Sequence, residues 1–141
     1  MRSGATLFAD IVGTTGYYWK FEDHFESAKR YNKAFTEKYK IAPPAAHGTY
    51  AYCAVKAMLE SCRIAKSTAS NDLIWAMESI HYDFARGPQF YKPLNHQAVQ
   101  TVAVVNCKPE QEMTSEIDIF NILDIVEFGG ARSFHISPDA D

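Results

Sequence analysis

Five aromatic rings crowd residues 12–25, VGTTGYYWKFEDHF, behind a Gly/Thr turn. Tyr17, Tyr18 and Trp19 stand side by side there. Such rings can cover the apolar body of a ligand, or close the apolar end of a following helix. His47 is the second position of interest. It lies in AAHGT, just ahead of an expected helix start, where unpaired N–H groups favour an anion; a purely structural role for this histidine stays open. The remaining histidines (His24, His81, His96, His135) are scattered, and none stands at metal-ligand spacing from another. His81 is read as ending a helix, and HYD then points His81 and Asp83 to different faces.

Bond-making chemistry finds no support. The sequence has no G-x-S-x-G elbow, no phosphate-binding G-x-x-x-x-G-K-[ST], no H-E-x-x-H and no G-x-G-x-x-G. The paired glycines of EFGGAR lack the strand-to-helix setting that would make them a phosphate cradle. Cys53 and Cys62 fall nine residues apart in one expected helix, about 13 Å along its axis and too far to bridge. No C-x-x-C spacing occurs, so all three cysteines read as free thiols. No catalytic residue, metal or cofactor is therefore expected.

The elements that must position these residues follow from periodicity and turn signals. Residues 6–12 read as a short apolar strand ended by Gly13-Thr14-Thr15-Gly16. Phe21, Phe25, Ala28, Asn32, Phe35 and Tyr39 recur at spacings of three and four, one face of a helix over about 22–39 that Pro43-Pro44 closes off. Thr49 is the expected N-cap of a second helix to about residue 65, with Tyr52, Val55, Leu59 and Cys62 inward. Ser70 or Asn71 caps a third, with Leu73, Met77, Ile80 and Phe84 inward and Trp75 off the stripe.

After Gly87-Pro88 the period becomes two. QFYKP and AVQTVAVVNC read as strands joined by LNHQ, with Val99, Thr101, Ala103 and Val105 on one face. KPEQEMTSE (108–116) is a polar loop, residues 117–128 a closing strand, and 129–141 a polar tail. At 141 residues, 47% hydrophobic and 22% charged, this is one ordinary globular domain with a net charge of −3. Its Lys and Arg are dispersed, which speaks against a nucleic-acid surface. No apolar run approaches a membrane span. MRSGATLFADIVG does not read as a signal peptide, and a strand so close to residue 1 gives the appearance of a cut domain.

The ordered set of segments resembles the type I periplasmic solute-binding proteins of ABC importers, in the branched-chain amino acid and amide group. LFADIVGTTGYYW resembles a crossover leaving one lobe, and FESAKRYNKAFTEKYKIAPP the aromatic helix after it. YAYCAVKAMLESCRIA resembles the Y-x-A-V helix, with Tyr52, Ala54 and Val55 in register. DLIWAMESIHYDFARGPQFY and LNHQAVQTVAVVNCKPEQEMTSEIDIFNILDIV resemble the helix, hairpin and closing strand of the C-terminal part. Ile117 departs from the Trp often found before the aspartate of the last strand. Tyr50 stands where many members carry a small residue.

The resemblance, over roughly residues 6–128, implies an α/β fold: a partial type I lobe of one strand, three helices, a β-hairpin and a closing strand. It implies residues 1–128 as the C-terminal part of a solute-binding domain, with 129–141 as a tail. It further implies a fragment or truncated form of a non-enzymatic ABC-transporter substrate-binding protein of the periplasm. Such a protein takes an amino acid, amide or small carboxylate between two lobes and docks on a membrane permease. The ligand positions it implies are Tyr17, Tyr18, Trp19, His47 and Tyr50. Strand edges exposed in such a fragment would favour a homo-oligomer. A free-standing α+β interaction domain without a transport role stays open, since unpaired cysteines suit a reducing compartment.

Overall fold

The computed structural model describes residues 8–127. Residues 6 and 7 of the expected first strand, Gly129-Gly130, His135 and the tail lie outside the described residues. The first strand, β1, is Val12–Thr15: the Gly/Thr stretch expected to end the strand is itself the strand. Its partner explains this. β1 pairs antiparallel with β5 (Val102–Cys107), Gly13 opposite Val105 and Thr15 opposite Ala103. Backbone pairing to a Val-rich strand outweighs the weak strand propensity of Gly.

A 3-10 turn over Trp19–Asp23 then leads into helix α1, Glu26–Tyr39, which ends on Lys40 in the left-handed region (φ 55°). Phe21, Phe25, Ala28 and Asn32 of the expected stripe are buried, whereas Tyr39 at its end is exposed. Helix α2, Ala46–Ala65, begins three residues before the expected cap. Thr49 is fully buried inside it and returns its hydroxyl to the Ala45 carbonyl (3.3 Å), so it cannot cap. The buried face is the small-residue row Thr49, Cys53, Ala57 and Ser61. Val55 (60% exposed), Met58 and Leu59 (63%), two of them on the expected inner stripe, face outward. Small side chains let α2 approach the core closely, and periodicity does not say which of two apolar faces is packed.

Helix α3 is Ser70–Ser79. It stops before His81, which lies in the two-residue strand β2 (His81–Tyr82) and stacks on Phe90 with ring centroids 5.1 Å apart. His81 is therefore not a helix-terminal residue. Trp75 is 65% exposed. β2, β3 (Gln89–Tyr91) and β4 (Ala98–Gln100) form one antiparallel sheet; β1, β5 and β6 (Phe120–Val126) form the other in the order β1-β5-β6. The long period-two run thus divides between two sheets at Thr101, which is buried, as are Ala103 and Val105 on the same face. A register shift between Val104 and Val105 opposite β6 leaves Leu123 as a bulge residue. Gly87 holds φ 85°, and a Cβ there would meet Phe25 at 2.9 Å, which is why the chain turns on glycine at this point.

The core gathers Tyr17, Phe21, Phe25, Ala28, Tyr31, Cys53, Ala85, Ala103 and Val105. Beside it sits a fully buried carboxylate, Asp118. It pairs with Lys20 (2.6 Å) and Lys108 (2.8 Å) and accepts the Thr114 hydroxyl (2.7 Å) and N–H (3.2 Å). Burial pushes this carboxyl up, but Lys108, Lys20 and Thr114 together outweigh it and hold the group well below the usual carboxylate range.

A depressed folded pKa means that this stabilisation is complete above the unfolded value of about 3.9 and fades as pH falls towards the lowered one. Asp118→Asn should cost about 3 kcal/mol in urea unfolding near neutral pH. The gap between wild type and variant should narrow below about pH 4. A gap constant down to about pH 2 would show that the carboxylate is not the group at work.

Candidate functional site

The aromatic triplet does three different things. Tyr17 is buried against Phe21 and Tyr31, and its hydroxyl donates to Asn32 Oδ1. Burial raises its phenol pKa well above the usual range. Tyr18 is also buried; its hydroxyl donates to the Ile117 carbonyl (3.1 Å) and accepts the Phe120 N–H (3.3 Å). The Trp19 indole N–H donates to the same Ile117 carbonyl (3.0 Å). Tyr18 and Trp19 thus clamp the segment that leads into β6, with the Lys20–Asp118 pair alongside. Asn32 completes the cluster by donating to the Trp19 carbonyl and to Glu22 Oε2, both at 2.8 Å.

His47 and Tyr50 lie in the first turns of α2, rings 6.1 Å apart, with His47 exposed and Tyr50 half-buried. The Tyr50 hydroxyl accepts the Gly16 N–H at 3.0 Å, tying α2 to the end of β1. A Cβ on Gly16 would stand 3.0 Å from that hydroxyl and 2.8 Å from the Arg86 guanidinium, so the close approach needs glycine. The structure therefore joins the β1 exit to His47 and Tyr50 through Gly16. The rings of Tyr17, Tyr18 and Trp19 point instead into the packing below.

Arg86 is the residue that sequence reasoning missed. It is 6% exposed, its guanidinium lies 4.7 Å above the Tyr50 ring, and it donates to the Gly16 carbonyl (3.2 Å), to Gln89 Oε1 (3.1 Å) and to Gln100. All three acceptors are neutral. The available signal was a lone cation between small residues in FARGP, ahead of a Gly-Pro turn. Cys53, nearby on α2, is a free thiol whose pKa burial pushes up. No group of three metal-binding side chains occurs among the described residues.

An exposed imidazole, a tyrosine hydroxyl and free helix-start N–H groups beside a buried guanidinium can hold a polar or anionic group. A family profile described as "Periplasmic binding protein" matches residues 1–112. The chain belongs to the periplasmic binding protein family.

Solved structures agree on the fold. A branched-chain amino acid ABC transporter periplasmic ligand-binding protein of Burkholderia xenovorans superposes with a TM-score of 0.74 at 16% identity, over 89% of this chain and 32% of that one. An amino acid ABC transporter substrate-binding protein of Pseudomonas fluorescens gives 0.72 at 18%, over 89% and 33%. A periplasmic binding protein of Burkholderia mallei gives 0.72 at 15%, over 88% and 32%. The chain spans about a third of the length of these relatives. No protein of curated function matches it. The partial periplasmic-binding-protein lobe expected from the resemblance is the architecture found, and no helix among the described residues is long and apolar enough to cross a membrane.

Tyr50→Phe should unpair the half-buried Gly16 N–H and lower stability by about 1 kcal/mol. Arg86→Met should cost more, about 2–3 kcal/mol, because three acceptors lose their donor at once. Urea melts of the two variants check this. If both fell within about 0.5 kcal/mol of wild type, Gly16 would not be fixed by these contacts.

Proposed function

We propose that this chain is the C-terminal part of a two-lobed ABC-transporter substrate-binding protein of the periplasm. It takes no part in catalysis. The whole receptor captures an amino acid, amide or small carboxylate between its lobes, closes by a hinge motion and docks on a membrane permease. The observation that carries this reading is the family match over residues 1–112. His47 and Tyr50 are assigned to the cleft rim, where imidazole and phenol meet the polar end of the solute. Tyr17, Tyr18 and Trp19 are assigned to the hinge, acting through the segments they hold.

Exposed apolar surface supports the partial character. Val55, Met58 and Leu59 of α2 and Ile74 and Trp75 of α3 lie open among the described residues, the kind of surface that another element can cover. Among the described residues, β1 and β6 each pair on one side only. Such edges and faces favour association of the isolated chain into a homo-oligomer. One observation favours a second reading, a free-standing α+β interaction domain: all three cysteines are unpaired, which suits a reducing compartment.

Intact mass of the native gene product separates the two readings. A value well above the 15.9 kDa of this chain is expected; a value at 15.9 kDa would turn the argument to the interaction domain. In light scattering the isolated chain should exceed its monomer mass, and a clean monomer at high concentration refutes the edge argument. The isolated chain should also show no micromolar binding of amino acids by calorimetry, because half a cleft buries too little of a solute. Saturable binding at that level would contradict the two-lobe requirement.

A further inference from the structure

A groove of about 560 Å³ opens between α1 and α2, away from the site described above: none of Tyr17, Tyr18, Trp19, His47 and Tyr50 lines it. Its volume falls within the range of small-molecule sites. Tyr31 and Tyr52 stack on one another at its edge with centroids 4.6 Å apart, and Phe35 and Phe84 extend the aromatic lining. Three cations, Arg30, Lys38 and Lys56, and one carboxylate, Asp83, line it, in a chain whose net charge is −3. Asp83 accepts the Gly87 N–H (3.0 Å), so part of its charge is already engaged. The Lys56 ammonium sits 4.7 Å from the Phe84 ring centroid and 3.1 Å from the Tyr52 hydroxyl, a cation poised on the aromatic wall.

Two independent features show a place left open. Ser27 lines the groove at 3% exposure, and its hydroxyl is buried without a hydrogen-bond partner, a state that folded proteins seldom leave uncompensated. Gly48, in the first turn of α2, has nothing within 4 Å of where a Cβ would lie, and glycine is a weak helix former.

We propose that the groove between α1 and α2 is a second ligand site, for a small planar aromatic carboxylate. The ring packs against Tyr52, the carboxylate pairs with Lys56, with Arg30 and Lys38 adding to the local field, and the Ser27 hydroxyl donates to a polar oxygen of the ligand. The site uses none of the residues assigned above to the interlobe cleft.

The test is a saturation-transfer NMR titration of the full chain with 4-hydroxybenzoate, with 4-hydroxybenzamide and cyclohexanecarboxylate as the neutral and the non-aromatic comparison. The method reads ligand signals and works on oligomers as well as on monomers. Saturable binding with a dissociation constant of about 0.1–1 mM is expected for a ligand of this size. Each comparison compound should bind about tenfold more weakly. Gly48→Leu fills the groove from a position that gains helix propensity, so it should abolish binding without lowering the thermal midpoint. Ser27→Ala should weaken binding about three- to tenfold while leaving the fold intact. Absence of saturable binding by wild type, equal binding of the neutral amide, or unchanged affinity in Gly48→Leu would each overturn the proposal.

Discussion

The arrangement depends first on one buried charge. Asp118 lies near the end of the described chain, and a carboxylate removed from water is tolerable only where cations and hydrogen bonds replace its hydration. Lys108 supplies one cation from just after β5, and Lys20 the other from just after the aromatic triplet, about a hundred residues earlier in sequence. That requirement brings residues 17–20 against residues 117–120. Tyr18 and Trp19 then find the Ile117 carbonyl within reach, and β6 arrives beside β5 with β1 on the other side. The aromatic triplet is thus pinned through polar groups that the ion cluster positions.

Arg86 repeats the logic with the opposite sign. A buried guanidinium with no ion-pair partner among the described residues spends its N–H groups on neutral oxygens, and it finds them on Gly16, Gln89 and Gln100. These belong to the β1 exit, to β3 and to β4. One side chain therefore joins both sheets and sets its guanidinium over the Tyr50 ring at the start of α2. This fixes where His47 and Tyr50 stand relative to the crossover, while His47 itself stays exposed and available. Rigid placement of a few polar groups around an open rim suits recognition more than bond-making.

The polar interior and the apolar surface stand in contrast. Asp118, Arg86 and Asn32 are each satisfied by several partners and Lys108 pairs with Asp118, whereas α2 and α3 present Val55, Leu59 and Trp75 to solvent. Solvent-facing apolar area of this kind ordinarily marks a surface that another element covers. Relatives about three times as long share the same local fold. The groove beside α2 differs in character, with rings and cations together instead of a purely aliphatic face.

Much of the fold was legible in the sequence. Local rules placed the three helices, since Phe21, Phe25, Ala28 and Asn32 recur at helical spacing and Pro43-Pro44 cannot continue a helix. They also placed the core face Thr101, Ala103 and Val105, and the order of elements identified the family. The tertiary structure alone decided the rest. Gly13 became strand because β5 lay beside it, and α2 buried its small residues because the core left room only for those. His81 left the helix to pair and stack with Phe90. For the candidate site, His47 and Tyr50 could be named in advance. Arg86 could not, nor could the union of Lys20, Lys108 and Asp118, because a charge's partner is set by distance in space, whereas periodicity reports only neighbours along the chain.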